Sequence, residues 1–152
     1  MKDIFSDTSL SPYLGFKGGT AALMFYNLTR NSVDIDLDLL DETMQVMVKE
    51  DMFANKLMAM YERIGKTSRD VYDVYFFAKN NWSINRKLVE DRAQMPFKDV
   101  LVKCAELLEK MDNRHILDGL GKMLTEPEKD WARAKLRTET IFLLKAWLES
   151  EK

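Results

Sequence analysis

The chain has 152 residues, 46% hydrophobic and 32% charged, with one cysteine and a formal net charge of -2. That length can bury a core without staples, and the near-balanced charge excludes a strongly basic nucleic-acid module. The lone Cys104 excludes an internal disulfide and fits a reducing cytosol; no run approaches the roughly 20 apolar residues of a membrane span and no signal-peptide pattern is visible, so the expectation is a cytoplasmic protein with no membrane partner.

Tyr13-Leu14-Gly15-Phe16 reads as a strand running into the turn Lys17-Gly18-Gly19-Thr20. Ala21 to Asn27 is long enough for two helical turns and holds neither proline nor glycine. After Arg30-Asn31-Ser32, Val33 to Leu39 alternates, with Asp34, Asp36 and Asp38 on one face and Val33, Ile35, Leu37 and Leu39 on the other. A glycine turn at a helix N-terminus suits phosphate oxygens, and paired carboxylates suit a divalent cation. Each feature also has a plainer reading. The double glycine can be only a tight turn, and alternating aspartates can be a solvated edge that discourages pairing. Together they predict a metal-dependent nucleotidyl or phosphoryl transfer site.

The segment Thr43 to Val48 has room for one short strand. Glu50 to Arg63 then carries Phe53, Leu57, Met60 and Ile64 at helical spacing, with Lys56 beside that stripe. Gly65-Lys66-Thr67-Ser68 breaks the helix, and Ser68 is a candidate N-cap for the next one. There Asp70 and Asp73 share a face, while Val71, Val74 and Ala78 supply a buried stripe. Lys56 is read either as a lysine reaching inward or as a snorkelling surface residue; Arg69-Asp70 can be ordinary charge at a helix start.

A pliable join is expected near Trp82–Ile84, followed by helices over Phe97–Met111, Arg114–Met123 and Glu128–Ser150. The last is expected to bury Trp131, Ala134, Thr138, Ile141, Phe142 and Leu148 along one side. Cys104 falls in an apolar series and reads as core. His115, the only histidine, cannot make a metal cluster alone. Arg86, Lys87 and Arg92, or Arg133, Lys135 and Arg137, would be the patches for any RNA contact, although solvated helix faces explain both. The residues describe an α+β protein with a helical C-terminal region.

The run "FKGGTAALMFYNLTRNSVDIDLDLL" and the block "KEDMFANKLMAMYERIGKTSRDVYDVYFF" resemble the AbiEii/AbiGii-type nucleotidyltransferase toxins. That family's pattern is roughly K-G-G-T-A-L, R-x-S-x-D-[IL]-D and K-L-x-A-L…R…R-D-x-x-D-[LV]-Y. The resemblance implies a minimal nucleotidyltransferase-like mixed sheet with helices over 1–81 and a helical bundle over 82–152. It implies Mg2+ held by Asp34 and Asp36, with Lys56 and Asp73 also catalytic. Lys17, Gly18, Gly19, Thr20, Ser32, Arg69 and Asp70 would bind the nucleoside triphosphate. Further implied are tRNA or another RNA as acceptor and a separately encoded antitoxin protein as partner.

Family members place further strands, one bearing an additional carboxylate, between the D-I-D strand and the K-L-x-A-L helix. Here that acid is missing unless Asp38, Glu42 or Glu50 substitutes. Either the chain is a natural minimal enzyme, or it is an impaired remnant that binds nucleotide or antitoxin, or an internal segment is absent from the sequence.

Overall fold

The computed structural model describes residues 14–32, 36–39 and 47–150. The chain divides into two compact units between Val48 and Lys49.

In the first unit, strand β1 (Leu14–Lys17) leads directly into helix α1 (Gly18–Tyr26), and strand β2 (Asp36–Leu39) follows. The passage from strand to helix without a spacer depends on Gly18, whose φ of 77° is strained for any residue with a Cβ. Gly19, Thr20, Ala21 and Ala22 are buried, so small side chains let this helix pack closely. Asn27 ends it in the left-handed conformation and donates its N–H to the carbonyl of Ala22, as asparagine tolerates that region. The Tyr26 hydroxyl donates to the carbonyl of Met47 at 3.0 Å.

The two strands pair antiparallel, with Leu14 opposite Leu39 and Lys17 opposite Asp36. This corrects the expected mixed sheet and with it the α+β class. Among the described residues strand structure is limited to this pair of four-residue strands, and helices make up most of the rest. Alternation over a few residues identifies a strand but supplies no further partners, and every apolar repeat after Val48 has helical spacing. Of the short strand expected over Thr43–Val48, residues 43–46 lie outside the described residues; Met47 and Val48 belong to neither a strand nor a helix.

The second unit is all helical. It comprises α2 (Lys49–Arg63), α3 (Arg69–Lys79), α4 (Arg86–Ala93), α5 (Phe97–Lys110), 3-10 turns at Asn113–His115 and Gly121–Met123, α6 (Glu126–Trp131), a π-helical turn (Ala132–Leu136) and α7 (Arg137–Ser150). Helix α2 packs on α3, α4 and α5, and α7 packs on α3 and α5. Their shared core holds Phe53, Leu57, Val71, Phe77, Leu101, Cys104, Leu108, Leu136 and Leu144. Phe53 stands edge-on to Phe77 at 5.4 Å and stacks on Trp147 at 5.3 Å. Such ring pairs add about 0.5–1.5 kcal/mol each beyond the area they bury.

Two expected helices differ. Arg114–Met123 forms the pair of 3-10 turns instead, because Gly119 takes a φ of +70° and interrupts the helix its apolar spacing suggests. The C-terminal helix starts earlier, at Glu126, with Thr125 and Glu128 closing a capping box. Its buried side is Ala132, Leu136, Thr140 and Leu144, and Phe142 is 70% exposed. The π-helical turn adds a residue to one turn and rotates the face that follows. Helix α4 was not foreseen. It buries only Val89, and Asn85 caps it by accepting from the Leu88 N–H.

Candidate functional site

Helix α2 carries Lys56 at the margin of its apolar stripe, and the chain then turns at Gly65 into α3. Ser68 precedes α3, yet its hydroxyl does not cap it. The Ser68 Oγ donates to the carbonyl of His115 at 3.1 Å, and its backbone N–H donates to the carbonyl of Asp118 at 2.8 Å. The 115–119 turn therefore fixes where α3 begins, and with it Asp70 and Asp73, which fall three residues apart on one face.

Those two carboxylates close on Lys56. Its Nζ lies 2.9 Å from Asp73 Oδ2 and 3.2 Å from Asp70 Oδ1, and Arg63 Nη2 lies 3.0 Å from Asp70 Oδ2. The side chains run from the interior outward: Asp73 is 0% exposed, Asp70 4%, Lys56 15% and Arg63 48%. The ammonium between the two carboxylates offsets their mutual repulsion. Lys56 is thus not a snorkelling surface lysine but a cation held in one orientation with a narrow opening to solvent. Because ammonium and guanidinium already satisfy Asp70 and Asp73, this pair is unsuited to a metal ion. Among the described residues no group of three His, Cys, Asp or Glu side chains could hold one.

In the first unit, the start of α1 gathers a second group. A Cβ on Gly19 would stand 2.9 Å from Arg30 Nη2 and 3.0 Å from Ser32 Oγ, so guanidinium and hydroxyl lie directly against the first helical turn. Arg30 is 2% exposed and donates from Nη1 to the carbonyl of Asn31 at 2.8 Å. The first turn has no acidic residue. Backbone N–H groups, the positive end of the helix dipole and a buried guanidinium all favour an anion there. The strand register sets the Asp36 backbone opposite Lys17, one residue before Gly18. Asp34 lies outside the described residues, as does the Asp36 side chain.

Arg69 takes a different course from Lys56, Asp70 and Asp73: its Nε passes 3.9 Å from where a Gly119 Cβ would lie. Arg63 and Arg30 were not singled out from sequence. Both stand in the quoted blocks, Arg63 as the last residue of the lysine helix and Arg30 two residues before Ser32. Burial distinguishes Arg30, and the contact with Asp70 distinguishes Arg63, from ordinary surface arginines.

The other candidates take structural roles. Cys104 is buried, and desolvation pushes its thiol up to about 12. His115 is exposed, with Nδ1 2.8 Å from Asp118 Oδ2. In the proposed basic patches, Lys87 pairs with Asp91, Arg92 with Glu62 and Arg133 with Asp130, and Arg137 donates to the carbonyl of Met111. These pairs favour the solvated-face reading.

The family model described as nucleotidyl transferase AbiEii toxin, type IV TA system, matches residues 38–141. The matched span takes in Lys56, Arg63, Asp70 and Asp73, and begins after the glycine turn and Asp36. No curated protein and no solved structure was found to match.

Proposed function

The chain belongs to the AbiEii family of nucleotidyl transferase toxins of type IV toxin–antitoxin systems, and from that premise we propose that it transfers a nucleotide from a nucleoside triphosphate to an RNA acceptor with Mg2+. The family implies a nucleotide substrate and an antitoxin partner. Among the described residues no helix is long and apolar enough to cross a membrane.

The observation that carries the proposal is the Lys56 ammonium fixed between Asp70 and Asp73. A cation already oriented by two carboxylates needs little rearrangement when negative charge approaches, which is the condition for effective electrostatic stabilisation. Lys56 would offset negative charge on the triphosphate as an acceptor hydroxyl attacks the α-phosphorus and pyrophosphate leaves. Asp73 and Asp70 act as positioning residues, and Arg63 steadies Asp70. The Gly18, Gly19 and Thr20 N–H groups, with Lys17, Arg30 and Ser32, would hold phosphate oxygens.

Carboxylate oxygens are the donors Mg2+ takes, and Asp34 and Asp36 would supply them; a bound ion would neutralise triphosphate charge. The register supports that reading, since it sets the Asp36 backbone opposite Lys17, one residue before the first amides of α1.

The test is label transfer from each of the four α-labelled ribonucleoside triphosphates, with Mg2+ and total tRNA or lysate. Native protein should label an RNA, and Lys56→Ala should lower the rate about 100-fold or more, the scale of a lost charge-stabilising donor. An unlabelled acceptor pool with folded native protein would reject the enzyme and favour the binding remnant.

A further inference from the structure

Helix α2 sets Lys56, Ala59 and Arg63 on one face, three and then four residues apart. Its two cations converge on one carboxylate. Lys56 Nζ lies 3.2 Å from Asp70 Oδ1, and Arg63 Nη2 lies 3.0 Å from Asp70 Oδ2. Two positive heads therefore stand on neighbouring oxygens, the ammonium nearly enclosed and the guanidinium half exposed.

Arg63 is committed on one side and open on the other. Its Nη2 meets Asp70, and its Nε donates to the carbonyl of Ala59 at 3.4 Å, one turn back on its own helix. Its Nη1 has no hydrogen-bond partner among the described residues. Nothing crowds the chain just past it, since a Cβ on Gly65 would meet no atom within 4 Å. Between the two cations on that face stands Ala59, partly exposed, whose methyl group is too short to screen the Lys56 ammonium.

Steadying Asp70 occupies one edge of the guanidinium and leaves the other with donors to give. Those donors suit an anion with several oxygens, and the ammonium beside them adds a second charge at the same place. A phosphate group accepts from both heads at once and keeps oxygens to spare. The terminal part of a nucleoside triphosphate carries more charge per phosphorus than the diester of an RNA chain, so paired cations favour the triphosphate. We propose that Arg63 is a substrate contact, holding through Nη1 a phosphate of the triphosphate whose charge Lys56 offsets. The inference rests on the transfer reading for the identity of the anion. It deepens that reading by giving Arg63 a contact with substrate in addition to its contact with Asp70.

The test is calorimetric titration of the full chain with inorganic triphosphate and Mg2+, without acceptor, followed by steady-state label transfer. Arg63→Gln should weaken triphosphate binding about tenfold, the scale of a hydrogen bond to a charged group, while circular dichroism stays native. Ala59→Leu, which keeps every charge and places bulk between the two heads, should weaken it similarly. Arg63→Lys should recover part of the affinity, since it restores the charge without the fork. In transfer, Arg63→Gln should raise KM for the nucleoside triphosphate more than it lowers kcat. A fall in kcat alone, with triphosphate affinity and KM unmoved, would return Arg63 to a purely steadying role and overturn the proposal. A rise in the KM of the RNA acceptor instead would assign that edge to an RNA phosphate and also overturn it, as would no triphosphate binding by the native chain. Triphosphate binding that depends on Arg63, without any label transfer, would leave the contact standing and remove the transferase. Label transfer with binding independent of Arg63 would do the reverse.

Discussion

Asp70 and Asp73 share one lysine but not one environment. Asp73 is fully enclosed, whereas the second oxygen of Asp70 meets Arg63, which is about half exposed. Breaking a buried ion pair by removing one partner costs about 3–5 kcal/mol, because the remaining charge stays dehydrated. Near the surface, water takes over much of the lost interaction. Asp73→Asn should therefore destabilise the fold by several kcal/mol, with Asp70→Asn costing clearly less because Lys56 keeps its inner partner. Urea midpoints of the two variants would check this, and equal midpoints would mean that burial does not rank the pair. The arrangement also explains what a residue-by-residue reading of the sequence offers here. The i, i+3 spacing of the aspartates and the place of Lys56 beside the stripe were legible. That their side chains meet within 3.2 Å depends on how α2 and α3 pack, and helical periodicity carries no information on that.

Among the elements, the turn over His115–Gly119 does more than connect helices. A Cβ on Gly119 would stand 2.6 Å from Thr67 Oγ1, and its φ of +70° is strained for alanine. Gly119→Ala must therefore push Thr67, whose neighbour Ser68 is tied to that same turn. A cost of about 1–2 kcal/mol is expected, along with a loss of transfer activity as Asp70 and Asp73 move under Lys56. Adding Thr67→Ala should recover part of the stability, since residues in contact are not additive; strict additivity in the double-mutant cycle would show that no clash occurs. This turn also shows why some elements resisted reading. Ile116, Leu117, Leu120 and Met123 have helical spacing, but a single left-handed glycine decides the outcome. Helices α2, α3 and α5 were legible because long apolar stripes leave no competing period. Helix α4 was not, because burying Val89 alone gives almost no amphipathic signal. The ribbon was legible as strands but not as an antiparallel pair without further sheet, because strand pairing is non-local.

At the scale of the molecule, the second unit has a core of its own, built from α2, α3, α5, α7 and the π-helical turn. Phe53, Phe77, Leu101, Leu108 and Leu144 are all enclosed within it, and domains of about this length hold together without external support. The glycine turn and Asp36 lie in the other unit. A fragment spanning Lys49–Lys152 should thus fold cooperatively yet transfer no nucleotide, which would separate the structural work of the Lys56 cluster from its chemistry. Cys104 reports on that core. Its thiol is pushed up to about 12 by burial, and only the thiolate reacts, so at neutral pH a thiol reagent should label it only through unfolding. The sign in alkali follows from the same shift. The folded state keeps its proton where the unfolded thiol loses it, so the stability tied to Cys104 is fully present below the unfolded value near 9 and is lost as pH rises toward about 12. The labelling rate of the fragment should match that of the full chain at pH 7, and Cys104→Ala should flatten the alkaline loss in both. A fragment that labels at once would show that the second unit's core needs the first unit to close, and that the Lys56 cluster is formed only in the whole chain.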